Sequence, residues 1–526
     1  MPTKGTRGTF NVHRVLLDKE GKLLSWFNPQ QLAYDHVMWL AWDFIKNKVP
    51  VEDNGLKTYL TYPKFDRSPP FRGLDYCHHP GELYGYFVDS LLSYYPYSGD
   101  RSLINIVQEM LDYHIDHGLT PADWDWPNVP FSASDAGATQ YQGADESRYE
   151  DNQPGKGDGV GVIASDKVGE LGVAYLYFFK LTGKEKYLKM AVACANAIAS
   201  HLRPGDADHS PIPFRVYAWN GIVREEYSSN MIGAVKLFDE LIHLKHPSKQ
   251  SYKKARDKLW EWLLAYPMRN NKWKGYYFDN MLDPRDENRD QVSAMETARY
   301  ILQHPEMDPD WHNHVPRLIN WVELTFGQEE WGAQSIKEQL WCFGPMGSHT
   351  ARFASICALW YEKTGDEAYK EKAYRTFNYA TYLAAENGVI DVSLKICRDD
   401  KGNYTEAGDP SFNDAWFSVG YADYVKHFMA GLGSIPEWAP KDENHLLRSS
   451  SIITNIQYSD KQISYKTFDS DSIEVLRLNF TPHRVTADNR TLNQSQNLDQ
   501  QGWSWDTKLG VLRVHHKEST NIQVKG

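Results

Sequence analysis

Apolar residues recur at three- and four-residue spacing along most of this chain, and short Gly- and Pro-containing turns interrupt the pattern. The spacing predicts helices over residues 75–94 and 100–117, 160–181 and 184–202, 224–244 and 249–266, 291–303 and 310–326, and 348–363 and 367–385. Several turns place Gly after an aromatic helix end. Because Gly tolerates positive φ, it ends one helix and lets the next begin at once. The pattern therefore predicts five helical hairpins.

Two further helices, residues 30–48 and 412–431, have no neighbour in sequence with which to form a hairpin. Pairing them with each other gives a sixth hairpin and closes the array into a ring, which removes the exposed apolar ends of an open solenoid. Turns within hairpins are short, whereas the connections between hairpins are long and rich in Trp, Tyr and Pro. Loops of that length are usually functional, so we expect chemistry on the face where they converge.

The periodicity changes after residue 438. Residues 463–468, 473–478, 510–514 and 522–524 alternate apolar and polar side chains with the two-residue period of strands. This predicts a helical domain over residues 1–438, where the long loops place the expected chemistry, and a C-terminal antiparallel β-sandwich over residues 439–526.

Composition narrows the function further. The 526-residue chain has a net charge of −12 and no dense Lys/Arg run, so a nucleic-acid partner is not expected. No apolar stretch is long enough to span a membrane, and the first residues lack a signal-peptide core. The compartment stays open between cytoplasmic and periplasmic or secreted after signal removal, and homo-oligomerisation also stays open. Five scattered cysteines give no zinc or disulfide pattern, and we expect neither a metal nor another cofactor.

Six hairpins with long loops on one face, followed by a β domain, resemble the (α/α)6 six-hairpin glycosidases and related polysaccharide lyases. Residues 166–172, 224–227 and 344–349 are similar to segments of that superfamily, and more loosely to the glycoside hydrolase family 154 group with β-glucuronidase activity. The resemblance implies a mainly α, (α/α)6 toroid with the active cleft at the N-terminal ends of the inner helices. We place those ends near Tyr76, Gly159, Arg224, Gln291, Gly347 and Ser411.

Glycosidic cleavage needs a protonated carboxyl and an ionised carboxylate. Asp166 and Glu170 are four residues apart on one helix face, and the apolar run after Glu170 would raise the pKa of its carboxyl. Glu226 would share a face with Asn230 on a third inner helix, and Asp414 would open the last one. The alternatives are ion pairing of Asp166 or Glu170 with Lys167, dipole complementarity for Glu226 and helix capping for Asp414. The resemblance favours inversion of configuration.

Basic and aromatic residues near the expected helix starts suggest a sugar carrying a carboxylate. Arg forks bind carboxylates through two hydrogen bonds, and flat aromatic rings suit sugar faces. The candidate substrate-binding residues are His78, His79, Trp124, Trp126, Lys167, Trp219, Arg224, Tyr227, Asn230, His349, Arg352 and Trp416. For each, a structural ion pair or a place in a loop core is the alternative.

These features together predict a glycoside hydrolase that acts on a uronic-acid-containing, β-glucuronide-like glycan. Two alternatives stay open. A lyase would use His78, His79, His349 or Tyr227 as the base in β-elimination. A non-catalytic glycan-binding protein would need the aromatic cleft but no acid pair.

Overall fold

The computed structural model describes residues 4–5, 8–9, 13–66, 69–145, 159–276, 286–340, 346–390, 396–398, 404–407 and 415–526. The helices are α1 Ala33–Asp43, α2 Pro80–Ser98, α3 Ser102–His117, α4 Ser165–Thr182, α5 Glu185–Ser200, α6 Ile232–His243, α7 Lys249–Ala265, α8 Pro267–Asn270, α9 Val292–Gln303, α10 Trp311–Phe326, α11 Gly347–Thr364, α12 Glu367–Thr381 and α13 Ser418–Ser434.

The long helices form two concentric layers. The inner layer runs α2, α4, α6, α9, α11, α13, and α13 packs back against α2, so the ring is closed. Each inner helix is backed by an outer one, and α1 packs on α13 as the predicted sixth hairpin requires. Inner helices such as α2 and α4 are buried on nearly every side, whereas outer ones such as α3 bury one apolar stripe. The prediction of an (α/α)6 toroid is confirmed.

The hairpin turns have the geometry that the sequence predicts. Gly99, Gly183 and Gly365 follow α2, α4 and α11 with φ of 73°, 70° and 75°. Each glycine N–H donates to the carbonyl four residues earlier, which satisfies one of the helix-end carbonyls. In the third hairpin Lys245 takes the left-handed conformation instead, with φ of 56°. These turns lie at the C-terminal ends of the inner helices.

The connections of the ring contain short strands: β1 Lys4–Gly5, β2 Gly8–Thr9, β3 Leu16–Leu17, β4 Leu23–Leu24, β5 Lys64–Asp66, β6 Gly143–Ala144, β7 Gly159–Val160, β8 Val162–Ala164, β9 Arg215–Tyr217, β10 Val223–Glu225, β11 Gly327–Glu330, β12 Ala333–Ile336, β13 Ile396–Arg398, β14 Tyr404–Ala407 and β15 Ala415–Phe417. Three of them, in the order β10-β9-β8, form an antiparallel sheet that leads into α4.

That sheet corrects two predicted helix starts. We expected helices from residues 160 and 224, but α4 begins at Ser165 and α6 begins at Ile232. Residues 162–164 and 223–225 pair through the intervening strand β9, and these tertiary contacts override the local helical periodicity. The last inner helix likewise begins at Ser418, later than predicted.

The C-terminal strands are β16 His445–Ser449, β17 Ile453–Ser459, β18 Gln462–Thr467, β19 Ser472–Arg477, β20 Arg484–Ala487, β21 Arg490–Thr491, β22 Gly502–Asp506, β23 Val511–His516 and β24 Asn521–Lys525. They form two antiparallel sheets, ordered β16-β19-β23-β22 and β17-β18-β24-β20-β21, which is the predicted β-sandwich. The domain boundary at residue 438 stays a prediction.

The sandwich docks at the C-terminal ends of the inner helices. His445 stacks on Tyr97 near the end of α2, with ring centroids 3.9 Å apart. Arg448 donates two hydrogen bonds of 2.6 Å to the carboxylate of Glu362, near the end of α11. The sandwich therefore leaves the opposite, N-terminal ends of the inner helices to the long loops.

Candidate active site at the N-terminal ends of the inner helices

Three buried polar residues and the partly exposed Glu170 meet where α4 approaches α6. Asn230 Nδ2 donates to Asp166 Oδ2 at 2.9 Å and to Glu170 Oε1 at 2.8 Å. Lys167 Nζ lies 3.3 Å from Asp166 Oδ2 and 3.1 Å from Glu170 Oε2. We call Asp166, Lys167, Glu170 and Asn230 the carboxylate cluster. The structure thus brings together four residues that the sequence selected.

Local structure fixes the cluster. Strand β8 ends at Ala164, and the Ser165 N–H donates to the carbonyl of Phe214 at 2.9 Å, which anchors the start of α4. Gly169 lets α6 approach closely, because a Cβ there would lie 2.7 Å from the backbone nitrogen of Ala234. The N–H of Asn230 donates to Ser228 Oγ at 3.1 Å, which holds this amide residue just before α6.

The two carboxyl groups of the cluster have different environments. Asp166 is 1% exposed, and burial raises the pKa of its carboxyl to about 7, although Lys167 and Asn230 oppose the increase. Its Oδ1 has no hydrogen-bond partner among the described residues. The side chain of Glu170 is 18% exposed and lies beside the Lys167 ammonium. At neutral pH Asp166 can therefore hold a proton, whereas Glu170 is partly open to solvent.

A tyrosine pair extends the cluster to the neighbouring helix α2. Tyr276 OH donates to Glu82 Oε1 and contacts Tyr86 OH. Lys167 Nζ lies 3.7 Å from the centre of the Tyr276 ring, a cation–π contact. Sequence reasoning missed Glu82 and Tyr276. Glu82 had a usable signal, since it lies in the first turn of an inner helix, but Tyr276 lies in a loop that no helical pattern marks.

A second buried network joins α9, α11 and α13. Arg352 Nε donates to Glu296 Oε1 at 3.0 Å, and its Nη2 donates to Asp423 Oδ2 at 2.7 Å. His427 Nε2 lies 2.9 Å from Asp423 Oδ1. The neighbouring cations hold the pKa of Glu296 and of Asp423 well below their usual range, so both stay charged.

This network corrects two predicted substrate contacts. Arg352 is fully buried, and its guanidinium is already occupied by protein carboxylates, so it does not present a free fork to a uronate. Burial and the Arg352 charge lower the pKa of His349 to about 3. His349 Nε2 lies 3.5 Å from Glu338 Oε1. Arg352, Glu296 and Asp423 are buried charges that pair with one another, and the sequences of the separate helices do not reveal this pairing.

Residues 224–227 do not enter the ring as predicted. Because strand β10 replaces the first turns of the expected helix, Glu226 does not share a helix face with Asn230. Its side chain is 46% exposed and pairs with Arg203, so its position does not support the predicted acid–base role. Tyr227 is buried, and its hydroxyl donates to the carbonyl of Lys272 at 2.8 Å. Arg224 lies over the Tyr217 ring, 5.8 Å from its centre.

The predicted aromatic platforms fall into three groups. Trp126 is 1% exposed and stacks on His201 at 4.1 Å, so it is a core residue and not a sugar platform. Trp219 is 43% exposed and meets the half-buried Trp124 edge-to-face at 5.9 Å. Trp416 pairs with Phe65 through the backbone of β15, and its side chain lies outside the described residues, as does all of Asp414.

The two histidines before α2 are both buried. His78 packs edge-on against Tyr84 and Tyr141, and burial lowers its pKa well below the usual value. It is therefore a neutral core residue and does not line the cluster. His79 Nδ1 lies 3.8 Å from Glu82 Oε2, which places His79 beside the tyrosine pair.

A cavity of about 60 Å³, which we call the axial cavity, lies between α2, α4, α6, α9 and α13 and is lined in part by Glu170 and Asn230 of the carboxylate cluster. The polar residues of its lining include Glu82, Glu170, Asn230, Glu296 and Lys236. A water molecule needs only about 10–15 Å³ of such volume together with polar partners, so this cavity can hold ordered water.

Solved structures share this architecture. A sugar epimerase from a ruminal bacterium is 11% identical and covers 76% of this chain and 99% of its own, with a TM-score of 0.50. D-Mannose isomerase is 12% identical and covers 75% of this chain and 96% of its own, with a TM-score of 0.51. Cellobiose 2-epimerase from Spirochaeta thermophila DSM 6192 is 9% identical and covers 78% of this chain and 100% of its own, with a TM-score of 0.51. Glycoside hydrolases are also among the structural neighbours.

This chain therefore shares the fold of these epimerase and isomerase structures. At these identities the similarity shows the fold alone, and membership of family 154 stays a prediction. No protein-family model and no curated protein matches the sequence. No described helix is long and apolar enough to cross a membrane. Within the described residues, no group of three His, Cys, Asp or Glu side chains could hold a metal ion.

Proposed function

We propose that this protein hydrolyses a glycosidic bond, with Asp166 as the proton donor and Glu170 as the second carboxylate. The observation that carries the proposal is the buried Asp166 carboxyl, whose pKa burial raises to about 7 and which shares the Asn230 amide with the Glu170 carboxyl. Two carboxyls with separated protonation states are what acid-assisted cleavage requires. In the first step the Asp166 proton passes to the leaving glycosidic oxygen as the bond to the anomeric carbon breaks.

The spacing of the pair bears on stereochemistry. One nitrogen, Asn230 Nδ2, donates to oxygens of both carboxyl groups at 2.9 and 2.8 Å. Those oxygens therefore cannot lie as far apart as the roughly 6.5–9.5 Å typical of inverting enzymes. If Asp166 and Glu170 act together, their closeness supports retention through attack of Glu170 on the anomeric carbon, in place of the inversion that the family resemblance implies.

A uronic acid is the sugar we propose for the cleaved residue. Arg352 no longer supports this, but Arg224 lies over Tyr217, and Tyr217 lies 4.7 Å from the partly exposed Trp219. A guanidinium beside aromatic faces suits a ring that carries a carboxylate. The segments that resemble family 154 make a β-glucuronide the first substrate to test.

Elimination and epimerisation are supported less well. Both require a base that removes a proton bound to carbon. The pKa of His349 is lowered to about 3, and burial also lowers the pKa of His78. Tyr227 is buried, and burial raises its pKa well above the usual value. His78 and His349 are therefore weak bases, which favours hydrolysis over a reaction that needs either imidazole as its base.

A panel of aryl glycosides that includes aryl β-glucuronides tests the proposal. Release of the aryl alcohol without absorbance near 235 nm supports a hydrolase, and that absorbance would indicate a lyase. Asp166→Asn should lower kcat/KM by about 10²–10⁴-fold, the usual contribution of a general acid. The alkaline limb of the wild-type profile should lie near pH 7. Turnover near the wild-type rate in both Asp166→Asn and Glu170→Gln would refute the assignment.

A further inference from the structure

A second, larger cavity lies at the other end of the ring. It occupies about 630 Å³ between the C-terminal ends of the inner helices and the sandwich, within the 300–1,000 Å³ range of small-molecule sites. We call this cavity the vestibule. Lys236 and His243 of α6 line one wall, and residues 446–453 of the sandwich line another. Lys236 also lines the axial cavity, so it stands between the vestibule and the carboxylate cluster.

Most cations in the vestibule wall already have a counter-charge. Lys426 Nζ lies 2.8 Å from Asp89 Oδ2, and Lys180 contacts Glu240. Arg299 Nε donates to Glu296 Oε2 at 3.2 Å. Arg448 is held by Glu362 through two hydrogen bonds. These pairs leave little positive charge for a ligand.

Lys236 differs from them. Among the described residues its ammonium forms no ion pair or hydrogen bond. The side chain is half-buried and lines both cavities. Burial lowers the pKa of Lys236, and the Lys426 and Arg299 charges add to that effect, whereas the carboxylates of Glu296 and Asp89 oppose it. Those two carboxylates are themselves paired with Arg299 and Arg352 and with Lys426. Burying an ammonium without a direct ion pair is costly, so a bound anion would stabilise the folded chain.

We propose that the vestibule is a binding site for a small oxyanion, a phosphate or carboxylate group, held at the Lys236 ammonium. His243 lies two turns further along the same face of α6, and Gln303 of α9 faces the same space. His243 Nε2 lies 3.1 Å from Asp469 Oδ1, so the Gln303 amide is the group that can donate hydrogen bonds to the ligand's remaining oxygens. This site lies at the opposite end of the ring axis from the carboxylate cluster and does not depend on the proposed hydrolysis.

Calorimetric titration of the full-length protein tests this site with three probes: sodium phosphate, sodium gluconate and neutral glucose. We expect phosphate or gluconate to bind, and the tighter of the two identifies the oxyanion class. Lys236→Met should weaken that binding at least about tenfold, the equivalent of about 1.4 kcal/mol. Lys254→Met on the outer helix α7 is the matched control, since Lys254 is exposed, and it should bind like the wild type.

Thermal unfolding supplies an independent readout. Millimolar phosphate or gluconate should raise the Tm of the wild type and of Lys254→Met but not that of Lys236→Met. The absence of binding by both anions would overturn the proposal. Equal binding by Lys236→Met, or equally tight binding of glucose, would also overturn it. Asp166→Asn should bind the anion normally, so the failure of one proposal can be told from the failure of the other.

Discussion

Asp166→Asn tests the raised pKa of the Asp166 carboxyl through the pH dependence of stability, without an activity assay. In the folded chain the Asp166 carboxyl is buried, and burial raises its pKa to about 7. Asn has nearly the same shape but cannot ionise. The substitution therefore removes one titrating group while Asn230 and Lys167 keep an oxygen to contact.

The sign of the effect follows from proton binding. Between pH 4 and 7 the folded state holds a proton on Asp166 that the unfolded state has released, so wild-type stability falls as pH rises through this window. A pKa of about 7 against about 3.9 for an unfolded Asp corresponds to about 4 kcal/mol lost once the pH exceeds 7. Asp166→Asn should not show this loss. Its free energy of unfolding should rise relative to the wild type by up to that amount between pH 4 and 8.

Denaturant unfolding at several pH values from 4 to 8 measures the difference directly. Asp123→Asn is the control, because Asp123 is exposed in a loop and its removal should leave the pH dependence unchanged. Parallel stability curves for the wild type and Asp166→Asn over the whole range would refute the raised pKa. They would also remove the main support for Asp166 as the proton donor.

Three further substitutions test the surrounding contacts. Asn230→Ala removes a hydrogen bond that lowers the pKa of Asp166, so the alkaline limb of the kcat/KM profile should move to higher pH. An unchanged limb would contradict the role of the Asn230 hydrogen bond. Arg352→Met leaves Glu296 and Asp423 without their shared cation and should reduce the free energy of unfolding by about 3–5 kcal/mol, whereas a loss near zero in urea unfolding would show that the network is not coupled. Trp219→Ala should raise KM for an aryl glycoside several-fold without changing Tm, and an unaltered KM would exclude Trp219 as a platform.

Local sequence determines the hairpins of this fold. A helix end needs a residue that tolerates positive φ, and Gly99, Gly183 and Gly365 stand at such ends, so the turns could be found without coordinates. The spacing of Asp166 and Glu170 likewise predicts one shared helix face. An oxygen of each carboxyl group does accept a hydrogen bond from the Asn230 amide nitrogen. Such features depend on residues within one or two turns of each other.

Tertiary structure decides what each charged side chain meets. The local pattern of residues 224–244 predicts a helix, but strand β9 pairs with β10 and carries Glu226 to the surface beside Arg203. Arg352 suits a substrate carboxylate by its chemistry, yet Glu296 and Asp423 approach it from two other helices and occupy it. Pairing energies depend on distance and burial between distant parts of the chain. The sequence alone therefore determined the ring and where its turns lie, while only the packed ring decided which carboxyl keeps its proton.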